Sequence, residues 1–137
     1  MNLYDQAEEW HRSAEVSCNN GFYQQTVFQC CMSIELFLKS KLAVIGDSLG
    51  LADTHNIIGM YNEISSQFNS KQHDVSEIIK LSRKYFNESR YPYINDFSAF
   101  NQEFATQFLD NVITIKNWLD NQCIATQEMM LNKFKRQ

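Results

Sequence analysis

An all-α domain is the fold class this sequence predicts, and three observations carry it. Between Gly21 and Gly46, apolar residues recur at Val27, Phe28, Cys31, Ile34, Leu38, Leu42 and Ile45, which is a helical period and not a strand alternation. A second seam, Phe97, Phe100, Phe104, Phe108, Val112, Ile115 and Leu119, advances in steps of three and four. One proline and 4 glycines in 137 residues leave few places to interrupt long helices. The expected architecture is one domain, residues 1–137, of five helices, four of them closing an up-and-down antiparallel bundle.

Leu3, Ala7, Trp10, Ala14 and Val16 to Cys18 space an amphipathic first helix over residues 2–19, with Asn2 as its N-cap. Asn19-Asn20-Gly21 is a turn short enough to send the next helix back antiparallel. That next helix is apolar on more than one stripe, because Ile34, Phe37 and Val44 add a row beside the first, so it is expected at the centre. Its one discordant residue is Glu35, a carboxylate on the core-facing row that needs a partner or a proton. GDSLGLADT reads as a loop, and Thr54 or Asp53 is expected to cap a third helix through Ile57, Met60 or Tyr61, Ile64 and Phe68. Asp74-Val75-Ser76-Glu77 resembles a capping box opening a fourth helix through Ile78, Ser82 and Tyr85. Pro92 implies a break around residues 88–95, and Asp96 is expected to start the last helix. The basic run NKFKRQ at the end suits a helix C-terminus.

Composition narrows function. Hydrophobic content of 44%, with 10 Phe, 6 Tyr and 2 Trp, marks a chain able to bury a core without a metal or disulfides. A net charge of -4 opposes a broad basic surface, so no DNA partner and no membrane partner is expected, and any nucleic-acid contact is local. Cys18, Cys30, Cys31 and Cys123 have no Cys-x-x-Cys spacing and read as reduced, core-packing thiols. Acidic Asp5, Glu8 and Glu9 interrupt any leader-like apolar run, and no stretch approaches a membrane span, so a cytoplasmic protein is expected. So many aromatics on one small domain also favour a homodimer that hides apolar surface across a two-fold axis.

Most chemical motifs are missing. Glu8 and His11 have the Glu-x-x-His spacing of di-iron bundles, but His55 and His73 lack a matching glutamate, so no metal site or cofactor is expected and His11 reads as an exposed helix residue. Neither a phosphate-cradling glycine loop nor a nucleophile elbow occurs. What remains is Glu35 and Lys39 on the central helix, His55 opening the third, and Arg83, Lys84, Arg90, Tyr91 and Tyr93 near the proline. Arg90, beside a stiffened turn, suits a phosphate or carboxylate; the alternative is that it pairs with Glu35 and locks the turn to the bundle.

The ordered set Trp10 and Ala14, Gly21-Phe22-Tyr23, Ile34-Glu35-Leu36-Phe37-Leu38-Lys39, Thr54-His55-Asn56-Ile57 and Ser89-Arg90-Tyr91-Pro92 resembles the HEPN domain family across the chain. That resemblance implies a small helical bundle, commonly homodimeric, often encoded beside a nucleotidyltransferase-type partner or within toxin-antitoxin and defence systems. Many members are metal-independent ribonucleases with an Arg-x(4-6)-His motif. Here Arg90 is followed by Tyr91 to Asp96 and no histidine occurs after His73, so that signature is absent. Arg90-Tyr91-Pro92 is similar to the branch associated with nucleotide binding and nucleotidyltransferase partners. The first functional expectation is therefore a non-enzymatic module in which Arg90, Tyr91, Tyr93, His55, Lys39 and Glu35 face a nucleotide, an RNA phosphate or a partner protein. The rivals are a ribonuclease with a divergent centre at Arg90, supported by Tyr93 or Asn95, and a dimer that only scaffolds. Tyrosine is a poor acid-base substitute for imidazole at neutral pH, which weighs against the first rival.

Overall fold

The computed structural model describes residues 2–90 and 99–124. Among the described residues five α-helices follow one another: α1 (Leu3–Asn19), α2 (Tyr23–Ile45), α3 (Ile57–Phe68), α4 (His73–Arg90) and α5 (Gln102–Asn121), with a 3-10 turn at Leu51–Asp53. Side-chain contacts fix the directions of the four long helices. Ser17 donates to Gln29 and Ser33 to the Ala7 carbonyl, so α1 and α2 are antiparallel. Gln24 reaches the Ser89 carbonyl and Cys31 that of Ser82, which runs α4 against α2. Tyr4 meets Asp120 and Glu8 meets Lys116, which runs α5 against α1. The result is the up-and-down bundle, with short α3 packed against α2 and α4.

Helix α2 packs against each of the other four helices. Val27, Cys30, Ile34, Leu38 and Leu42 are fully buried along it, and Phe37 nearly so. Its buried polar groups are satisfied one by one: Thr26 by the Phe22 carbonyl, Gln29 by Ser17, Ser33 by Ala7. Opposite it, Phe108, Val112, Ile115 and Leu119 of α5 are buried as their spacing requires, and Phe104 and Phe108 meet Tyr85 of α4 edge to face.

Several boundaries differ from expectation, each for a local reason. Asn56, not Thr54 or Asp53, caps α3, its side chain accepting from the Gly59 N–H. Thr54 is already used, donating to the Leu51 carbonyl and accepting from Asn56 N–H to close the 3-10 turn that contains Asp53. Helix α4 opens at His73, so Asp74 lies inside its first turn and is not a cap. Helix α5 opens at Gln102 under an Asn101 cap, so Phe100 packs in the core ahead of the helix. Asp96 and Phe97, expected to begin it, lie outside the described residues, as do Pro92 and the basic end of the chain. On α1, Val16 is exposed and Ser17 takes the buried position. His11 is half-buried and not exposed, its Nδ1 3.4 Å from Glu15.

Candidate ligand-binding site

One end of the bundle holds the C-terminus of α4, the N-terminus of α2 and the turn between α1 and α2. Gly21, in that turn, has φ +80, which glycine adopts without strain. Beside it opens a groove of about 520 Å³ lined by Gly21, Phe22, Tyr23, Gln24, Gln25, Phe28, Ser89, Arg90 and Phe100. Its walls are largely aromatic, its polar side chains are two amides, a guanidinium and the hydroxyls of Tyr23 and Ser89, and Gln24 Nε2 fixes one side by donating to the Ser89 carbonyl at 2.9 Å.

A second cluster lies further along α2, linked to the groove through Phe28 and Phe86. Glu35 is only 4% exposed, as its row on α2 requires. Lys39, one helical turn on, places Nζ 3.4 Å from its Oε2. His55, from the loop before α3, brings Nδ1 within 3.1 and 3.0 Å of the two carboxylate oxygens. Arg90, the alternative partner for Glu35, does not supply either contact: these come from Lys39 and His55, while the Arg90 guanidinium lies over the Phe86 ring at 5.7 Å. The His55 ring stacks on the same Phe86, centroids 6.1 Å apart and planes 26° apart. Phe86 continues to Phe28 and Phe28 to Trp10, so an aromatic file runs from α4 through α2 to α1. The charge of Glu35 also acts inward: burial first, and that carboxylate second, push the Cys31 thiol up, so it stays neutral and donates to the Ser82 carbonyl.

Of the six residues singled out by the sequence, Glu35, Lys39 and His55 thus meet in one cluster, and Arg90 is linked to it through Phe86, the ring that both His55 and Arg90 contact. Tyr91 and Tyr93 lie outside the described residues. Sequence reasoning missed Phe86, which joins the two halves of the cluster, although it sits four residues before Arg90 on one helical face. It also missed Phe22, Gln24, Phe28 and Phe100 as groove residues, since apolar and amide side chains carry no signal of their own.

A second groove, of about 590 Å³, opens at the other end between α1, α2 and α5. Its polar groups are already engaged: the Tyr4 hydroxyl donates to Asp120 and Lys41 donates to the Cys123 carbonyl. Glu8 and His11 do not act together, one meeting Lys116 and the other Glu15. Among the described residues no group of His, Cys, Asp and Glu could hold a metal ion, and no helix is long and apolar enough to cross a membrane.

The fold and this end-on site define a small all-α bundle with a polar-aromatic groove. A family model described as HEPN domain matches residues 1–122, and the chain belongs to that family. No curated protein and no solved structure matches it.

Proposed function

We propose that this HEPN domain is a cytoplasmic binding module that takes a nucleotide or a short stretch of RNA at the Arg90 end of the bundle, without cleaving it, and that it works beside a nucleotidyltransferase-type protein in a toxin-antitoxin or defence setting. The observation that carries the binding reading is the groove itself. Aromatic walls from Phe22, Tyr23, Phe28 and Phe100 suit the flat face of a base, and the amides of Gln24 and Gln25 suit its edge. Arg90 at the rim suits a phosphate, in a geometry a guanidinium matches well. The net charge of -4 agrees with a local contact and not with tracking along a polyanion. The partner and the setting rest on the family alone. Against cleavage stands the missing histidine: none follows His73, so the family's Arg-x(4-6)-His pair cannot form around Arg90.

The test pairs two measurements on one preparation. Labelled RNA incubated without metal is expected to stay intact, and equilibrium binding of that RNA and of ATP is expected to be measurable. Arg90→Ala should weaken binding by about 1–3 kcal/mol, the usual worth of a charge-assisted contact. Cleavage that disappears in Arg90→Ala would establish the ribonuclease instead. Failure of the wild type to bind either ligand would move the function to a protein partner or a scaffold.

A further inference from the structure

The groove carries two amides, and only one of them is held in a fixed sense. Gln25 is exposed, so its amide can turn to meet a donor or an acceptor. Gln24 is half-buried at the start of α2, and its Nε2 donates to the Ser89 carbonyl at 2.9 Å. That carbonyl belongs to the last turn of α4, where helix carbonyls lack a partner within the helix and stay open to a side-chain donor. A carbonyl oxygen only accepts, so it takes the Nε2 end of the amide and refuses the Oε1 end. Turning the amide over would set two acceptors face to face beside Ser89, which is 5% exposed. Both residues line the groove, so what Gln24 has left for a ligand is Oε1, an acceptor, with the second N–H beside it.

We infer that Gln24 reads the edge of a bound base and admits one pattern, an amino group next to an unprotonated ring nitrogen. Adenine has it, N6 lying beside N1 on one edge and beside N7 on the other, and a glutamine amide meets N6 and N7 with two hydrogen bonds. Cytosine repeats it with N4 beside N3. Hypoxanthine and uracil carry a carbonyl oxygen in place of the amino group, which would face Oε1, acceptor against acceptor. A glutamine free to rotate would turn over and accept either kind. The Ser89 carbonyl forbids the turn, so backbone at the end of α4 supplies the selectivity. The aromatic walls cannot supply it, because every base has a flat face to stack. The ligand is thus a nucleotide or short RNA segment bearing adenine or cytosine at this position. The inference rests on the nucleotide binding proposed above and adds base selectivity to it.

Equilibrium binding of four triphosphates tests it, in two pairs that differ at the amino position: ATP with inosine triphosphate, and CTP with UTP. Wild type should favour the amino member of each pair at least about fivefold, the lower end of what a bidentate contact between side chain and base discriminates. Gln24→Leu, close in volume and without polar side-chain atoms, should bring both ratios to within about twofold of one. A general loosening of the groove would lower all four affinities and leave the ratios in place, so the ratios separate base reading from packing. The wild-type ratios need no variant, so that outcome stands even if Gln24→Leu does not fold. Equal or reversed affinity within either pair in wild type, or a preference that persists in Gln24→Leu, overturns the amide contact while leaving nucleotide binding intact. Absence of binding by all four overturns both.

Discussion

Glu35 holds a position on α2 that its apolar neighbours Ile34, Leu36, Phe37 and Leu38 would suit better, and a carboxylate survives there because two bases meet it. Removing it leaves Lys39, itself 14% exposed, without its nearest counter-charge and leaves His55 without the anchor that holds it to α2. Glu35→Ala is therefore expected to destabilise the fold by about 1–3 kcal/mol, less than the roughly 3–5 kcal/mol of a fully buried broken pair because Lys39 can extend to water. Glu63→Ala, at a half-buried residue whose hydrogen bond comes from Gln67, should fall within about 0.5 kcal/mol of wild type. Parallel chemical denaturation of the two variants checks this, and equal midpoints would refute it. Half of this cluster was legible beforehand. Burial of Glu35 follows from the helical period and Lys39 from the four-residue spacing, because both facts are local to one helix. His55 reaches Glu35 across a loop of irregular backbone, where no periodicity links residues 20 apart, and so that partnership could be found only in three dimensions. Arg90 illustrates the same limit: its place at a helix end was readable, its support on Phe86 was not.

At the scale of elements, the ends of helices were harder to read than their middles. Periodicity fixes which residues face the core, whereas a boundary depends on which of several neighbouring side chains wins a backbone N–H. Around α3, Thr54, Asn56 and Asp53 are all good caps by chemistry, and the 3-10 turn decides by consuming Thr54. Gly59 belongs to the same arrangement. Its N–H is the group that Asn56 caps, and a Cβ there would stand 2.6 Å from Asn56 Nδ2 and 3.2 Å from Leu51 Cδ2. Asn56→Ala should cost about 1 kcal/mol of stability, the usual worth of an N-cap. Gly59→Ala alone should be nearly neutral, since the gain in helix propensity of about 1 kcal/mol is offset by displacing the cap. In the Asn56→Ala background the nearer obstacle is gone and only the Leu51 methyl, the end of a flexible side chain, has to give by a few tenths of an ångström, so Gly59→Ala should then stabilise. Thermal unfolding of the two single variants and the double variant measures this coupling; strictly additive effects would show that cap and glycine are independent.

The whole molecule hides its core well but not all its large apolar side chains. Val16 is 61% exposed and Phe22 60%, and they flank one turn, where the Phe22 N–H bonds back to the Ser17 carbonyl. Sequence periodicity assigned Val16 to the buried face of α1; the helix instead turns Ser17 inward to meet Gln29, which leaves Val16 as surplus on the surface. An isologous contact disposes of such a patch economically, because one two-fold axis covers it on both copies. Homodimerisation through the α1–α2 turn is thus the expected state; it shares Phe22 with the groove and leaves Arg90 outside the contact. Light scattering should give twice the chain mass of 16.1 kDa at micromolar concentration. Val16→Lys is the informative variant. Its position lies outside the groove and near the C-terminus of α1, where a cation is tolerated by the helix dipole, so the fold should stand while two lysines oppose each other across the axis. The expected result is a monomer with an unchanged melting profile when extrapolated to low concentration. A wild type that scatters as one chain throughout would remove the dimer, and a Val16→Lys protein that remains dimeric would place the contact on another face.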